Sequence, residues 1–164
     1  MTFSNKIAEL KNKGFFENLV ITRGIEKESL RVTEDGFLSQ TKHPKGLGSP
    51  LTNKYITTDF SEALVELVTP TFNNINDVYE FLLDLHIFTG KAMKPDEVLW
   101  TNSMPCFIAD ESEIRIAEFG SSNIGRLKNI YRKGLRVRYG SIMQCVAGIN
   151  CNFSIDDNSL ANFT

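Results

Sequence analysis

Glu26, Glu28 and Glu66 are the residues whose type and spacing in this sequence could do chemistry. The first two stand two apart in a run that reads as a strand, Gly24-Ile25-Glu26-Lys27-Glu28-Ser29-Leu30-Arg31-Val32. A strand's period of two puts both carboxylates on one face, beside Leu30 and Val32. Like charges this close raise one another's pKa unless a cation sits between them, and a hard divalent cation such as Mg²⁺ is the usual resident among carboxylate oxygens. Glu66, flanked by Leu64, Val65, Leu67 and Val68, is a third candidate ligand, because a carboxylate in apolar surroundings needs a partner. The plainer alternatives are a solvated sheet face for Glu26 and Glu28, with Lys27 and Arg31 keeping the other face wet, and a paired structural role for Glu66. From spacing alone the solvated face is favoured for the first two.

Other chemistry is thinly supported. Ser103 and Cys106 have no recognisable base beside them, so covalent catalysis finds no candidate nucleophile. Cys106, Cys145 and Cys151 make no zinc pattern with His43 or His86, and Cys106 reads as a buried free thiol. Gly120-Ser121-Ser122-Asn123-Ile124-Gly125-Arg126 is a glycine and serine turn opening a helix, where backbone N–H groups can hold an anion, but it is no phosphate-loop signature and a simple cap is the better reading.

The elements that must position these residues follow from periodicity. A short helix is expected over 4–13, stopped by Gly14, then a strand within 19–32 and a turn at Glu34-Asp35-Gly36. The stretch 41–53, rich in glycine and proline, reads as a surface loop, and 55–70 as a strand, with a short helix as the competing reading. Residues 76–93 form the clearest helix, with Val78, Phe81, Leu82, Leu85 and Phe88 on its inner side. A second helix is expected from Ser122, carrying Ile124, Leu127, Ile130, Tyr131 and Leu135 inward and leaving Arg126, Lys128, Arg132, Lys133 and Arg136 outward. Clean alternation over 141–154 predicts one continuous strand, and Asp156-Asp157-Asn158-Ser159 a turn or cap. The fold class is therefore α+β, a partial antiparallel sheet with flanking helices, in one domain over 1–164.

Bulk properties narrow the partners. With 164 residues, 41% hydrophobic and 23% charged, the chain can bury one sizeable core. A net charge of -2 gives no reason to expect nucleic acid or a membrane surface, although the basic cluster from Arg126 to Arg138 leaves an acidic partner as a minor alternative. The first residues lack the apolar stretch of a signal peptide and no run approaches a membrane span, so the expected location is cytoplasmic.

The first motif, together with Thr57-Thr58-Asp59-Phe60-Ser61-Glu62-Ala63-Leu64-Val65-Glu66, Ser103-Met104-Pro105-Cys106, Ser122-Asn123-Ile124-Gly125-Arg126, Tyr131-Arg132 with Gly134-Leu135, and Arg138-Tyr139-Gly140, resembles in that order the proteobacterial glutamate–cysteine ligases. The resemblance implies a glutamine-synthetase-like fold whose antiparallel sheet forms a funnel for ATP, Mg²⁺, L-glutamate and L-cysteine. It implies the ATP-dependent joining of glutamate to cysteine through an acyl phosphate, giving γ-glutamylcysteine in the first step of glutathione biosynthesis. By the same resemblance Glu26, Glu28 and Glu66 hold metal, while Phe60, Tyr131 and Arg132 lie near the cysteine substrate; no residue is assigned as a catalytic acid, base or nucleophile.

Two departures from the family pattern matter. Relatives carry a histidine where this chain has Asn150 and a tyrosine where it has Cys151; an asparagine offers a carbonyl oxygen to Mg²⁺ but no titratable nitrogen. Relatives are also several hundred residues long, so the chain is expected to be the amino-terminal part of one catalytic domain. Its partner would then be the missing carboxy-terminal part, and the alternative reading is a non-catalytic remnant or binding fragment.

Overall fold

The structure is a computed structural model that describes residues 2–17 and 19–161. Its spine is β1 (Ile21–Thr33), a strand of 13 residues that supports everything else. Along one edge β1 pairs antiparallel with β3 (Leu64–Val68), which pairs in turn with β2 (Ile56–Thr58). Along the other edge it pairs first with β5 (Ile149–Ile155), through 21–27, and then with β4 (Glu97–Leu99), through 31–33. The β-rich stretch 55–70 is thus two strands folded back on each other, with 59–63 making the connection.

Among the described residues there are four α-helices. The opening helix α1 spans Phe3–Asn12, capped by Thr2, and Gly14 follows it at φ 66°, a conformation glycine adopts without a Cβ penalty. Helix α2 (Ile75–Ala92) begins at the cap Asn74, whose side chain accepts from the Asn76 N–H at 2.9 Å. Helix α3 (Asn123–Tyr139) begins at the expected cap Ser122, which accepts from the Gly125 N–H at 3.2 Å. A short helix α4 (Asp157–Ala161) follows the last strand.

The two faces of the sheet have different fates. One face packs Val65, Leu67 and Ile56 against Leu85, Phe81 and Leu82 of α2, with Leu47 from the 41–53 loop closing the cluster. On the other face Leu30 and Leu64, cross-strand partners, join Phe60, Ala63, Cys106, Ile114, Cys145 and Ala147 in a second core. This second cluster covers only one end of its face; the other end carries the acids.

Several expectations are corrected. Alternation over 141–154 does not make one strand: Ile142–Cys145 is a 3-10 turn, and Cys145 and Ala147 are buried in the core before the strand begins at Ile149. Two apolar residues spaced like a strand's inner face served a compact turn equally well. On α2, Phe88 is exposed while Val78 and Leu85 are buried. On α3 the apolar residues Ile124, Leu127, Ile130 and Tyr131 are all exposed, and only Leu135 of the expected inner row packs on the core. The helix instead turns Gly125, Asn129, Arg132 and Arg136 inward, because their polar groups find backbone carbonyls there: Asn129 donates to Ala117 at 2.9 Å and Arg136 to Ile114 at 3.1 Å. Arg31, read as wetting a sheet face, is fully buried and bridged to Glu97 at 3.0 Å.

Candidate active site

Register assembles the acids. Glu28 on β1 lies directly opposite Glu66 on β3, and Glu26 lies opposite Asn150 on β5. Cross-strand partners share a face, so Glu26, Glu28, Glu66 and Asn150 lie on one surface, and Thr57, opposite Glu66 on β2, extends it. The loop between β2 and β3 adds Asp59, whose charge acts on both Glu28 and Glu66.

Electrostatics mark this surface as over-supplied with negative charge. Glu66 is pushed up to about 7, first by burial and then by Asp59, Glu28 and Glu26, with only Arg132 pulling the other way. No hydrogen bond or ion pair holds its carboxylate among the described residues. Glu28 is raised too, chiefly by burial, although its Oε2 accepts from the Gly148 N–H at 2.7 Å. The contrast with Glu97 is instructive. Burial pushes that group up as well, but hydrogen bonds from Ser39 and Thr41 and the charge of Arg31 outweigh it and hold Glu97 below the ordinary carboxylate range. A structural buried acid here comes with its partners, and Glu66 does not.

Arg132 is the cation of the site. Its Nε donates to the Asp59 carbonyl, its Nη2 lies 3.5 Å from the Asp59 carboxylate, and its guanidinium stacks 4.5 Å from the centre of the Phe119 ring. Tyr131, next along the helix, is exposed. Phe60 is placed differently from the other expected substrate residues: at 1% exposure it lies inside the core beneath the connection that carries Asp59. Asp59 is the member that sequence reasoning missed. It stands outside any periodic element, and the signal that could have found it was a carboxylate inside the same ten-residue motif that supplied Glu66.

The donors are hard oxygens with surplus negative charge, the chemistry that suits a hard divalent cation. Among the described residues no three His, Cys, Asp or Glu side chains converge closely enough to clasp one ion as they stand. The fit therefore rests on donor type and unbalanced charge, and side-chain rotation would have to bring the carboxylates together.

An antiparallel sheet with α2 packed on one face and a row of carboxylates on the other is consistent with the glutamine-synthetase-like ligase scaffold that the resemblance implied, and the relatives bear that out. The family model described as glutamate–cysteine ligase matches residues 6–164. The glutamate–cysteine ligase of Alcanivorax borkumensis is 56% identical over 137 residues, covering 84% of this chain and 26% of that protein. That of Yersinia pseudotuberculosis is 52% identical over 135 residues, covering 82% and 26%. Among solved structures, the Francisella tularensis glutamate–cysteine ligase in complex with AMP superposes with a TM-score of 0.86 at 48% identity, over 88% of this chain and 29% of that one. A bifunctional glutathione synthetase from Pasteurella multocida superposes with a TM-score of 0.84 at 29% identity, over 96% and 20%. The chain belongs to the glutamate–cysteine ligase family, and it spans about a quarter of the length of the curated relatives it matches.

Proposed function

We propose that this chain supplies the metal-binding wall of an ATP-dependent ligase that joins the γ-carboxylate of L-glutamate to the amine of L-cysteine in the cytoplasm. The observation that carries the reading is Glu66: a half-buried carboxylate without a protein partner, in register with Glu28 and within the field of Glu26 and Asp59. Glu26, Glu28, Asp59 and Glu66 would hold Mg²⁺, with Asn150 offering a neutral oxygen. The bound ion supplies charge neutralisation for phosphoryl transfer from ATP to the γ-carboxylate.

The remaining roles belong to the chain itself. Arg132, fixed by Asp59 and the Phe119 ring, presents a guanidinium suited to the carboxylate of cysteine, with Tyr131 beside it as an aromatic wall and Phe60 supporting the Asp59 turn from behind. Positioning and electrostatics do the work in such a reaction, which agrees with the absence of a recognisable nucleophile in the sequence. The rest of a ligase, corresponding to the larger part of its relatives, would complete the funnel.

The test is a chimaera in which this chain replaces the matching first quarter of the Alcanivorax ligase. It should form γ-glutamylcysteine from ATP, glutamate and cysteine, and Glu66→Ala should reduce the rate by about a hundredfold or more. A folded chimaera that is inactive, and that Asn150→His does not rescue, would refute the reading. Rescue by Asn150→His would favour the second reading, a binding-competent but catalytically weakened relative, which rests on the neutral residue opposite Glu26.

A further inference from the structure

On a surface that includes none of the site's carboxylates and meets the site only through Phe119, three cavities adjoin one another. The first, of about 450 Å³, is lined by Thr41, His43, Lys45, Ala92 and Lys94 among others. The second, of about 290 Å³, shares Lys42, His43 and Lys45 with it and reaches Gly120 and Glu118. The third, of about 400 Å³, continues from Glu118 and Gly120 past Phe119 to Arg126, Ile130 and Lys133 on α3.

Charge in this furrow is predominantly positive although the chain as a whole is at -2. Lys45, Lys94, Arg126 and Lys133 line it without an acidic partner among the described residues, whereas Lys42 is paired with Glu118 at 3.3 Å on the open surface. Of the other acids along it, Glu97 is paired with a cation and Glu62, buried and held by backbone N–H groups, is, among the described residues, the one carboxylate charge set against these four. Glu97 is bound to Arg31, and Glu62 accepts from the His43 N–H at 2.9 Å and the Glu118 N–H at 2.8 Å. His43 adds no charge, because burial and the neighbouring Arg31 lower its pKa to about 4. Between the cations the walls are apolar, at Pro44 and Ala92 in one cavity and Phe119 and Ile130 in another.

We propose that this furrow binds an acidic peptide segment of a partner protein, whose carboxylates meet Lys45, Lys94, Arg126 and Lys133 while its aliphatic stems lie against the apolar walls. The alternation of cations and apolar walls along three linked chambers fits an extended chain with spaced carboxylates better than a single small anion. A long polyanion such as nucleic acid would find no net positive field to hold it beyond the furrow.

The experiment is fluorescence anisotropy of a labelled peptide of alternating glutamate and alanine, titrated with the chain at low and at physiological salt. Binding should weaken by roughly tenfold with that rise in salt and by a further factor of about ten in the Lys45→Glu and Lys133→Glu variants. Lys11→Glu, on α1, should leave it unchanged. So should Glu66→Ala and an excess of ATP with Mg²⁺, which separates this site from the ligase reading. No binding by a sample shown to be folded, an equal loss in Lys11→Glu, or equally tight capture of a single-stranded oligonucleotide would overturn the proposal.

Discussion

A glutamate held at about 7 at the centre of a sheet face is under electrostatic load, and the sign of that load can be worked out. The folded chain keeps the Glu66 proton to higher pH than the unfolded chain, so the native state binds more protons between the ordinary value of 4.5 and about 7. Stability therefore falls as pH rises through that window and levels off above it. With the group partly exposed, solvent screening reduces the cost to something on the order of 1 kcal/mol. Glu66→Gln should accordingly raise the urea midpoint at pH 8 and flatten its dependence between pH 5 and 8; an unchanged slope in the variant would mean that another group carries the load. The Arg31–Glu97 bridge makes the opposite case. Removing one partner by Glu97→Ala leaves a buried, uncompensated guanidinium and should cost about 3–5 kcal/mol in urea denaturation, whereas a loss below about 1 kcal/mol would place Arg31 in water. Sequence showed Glu26 and Glu28 as a pair because a period of two is visible in the residues themselves. It could not show that Glu28 meets Glu66, since that depends on strand register, nor that Arg31 is buried, since its acid lies 66 positions away.

Element boundaries were more legible than element orientation. The caps Ser122 and Gly14 and the extent of α2 follow from local chemistry and appear where the residues put them. The rotation of α3 does not, because its apolar row faces out while Arg132 and Arg136 are drawn in by carbonyls of distant segments. The position that fixes the rotation is Gly125. A Cβ there would stand 2.3 Å from the Phe119 carbonyl oxygen, so no side chain fits without moving the helix. Gly125→Ala is expected to cost about 1–3 kcal/mol despite the better helix propensity of alanine, and to disturb Arg132 as the helix shifts. A neutral or stabilising effect in thermal unfolding would show that α3 does not approach the 119–120 backbone so closely.

At the scale of the molecule, the sheet is covered at its β3 end and open at its β5 end. The α2 side is packed over β2 and β3, but Ile149 and Phe153, on that same side of β5, are exposed, as are Ile124, Leu127 and Tyr131 of α3, and among the described residues β5 pairs with β1 alone. A free strand edge flanked by exposed apolar residues favours pairing with another chain. The isolated chain should therefore self-associate at micromolar concentration, and Ile149→Lys with Phe153→Lys should shift it toward monomer in sedimentation velocity. A wild-type chain that is monodisperse and unfolds cooperatively would contradict this. The family was legible in ordered motifs spread along the chain, whereas the open edge became visible only once β5 was placed beside β1. Most directly, the carboxylate wall is tested by calorimetric titration of ATP into the folded chain with and without Mg²⁺, repeated on Glu66→Ala. The account predicts Mg²⁺-dependent binding that weakens by at least about tenfold in the variant. Equal binding by the two proteins, or binding indifferent to Mg²⁺, would contradict it.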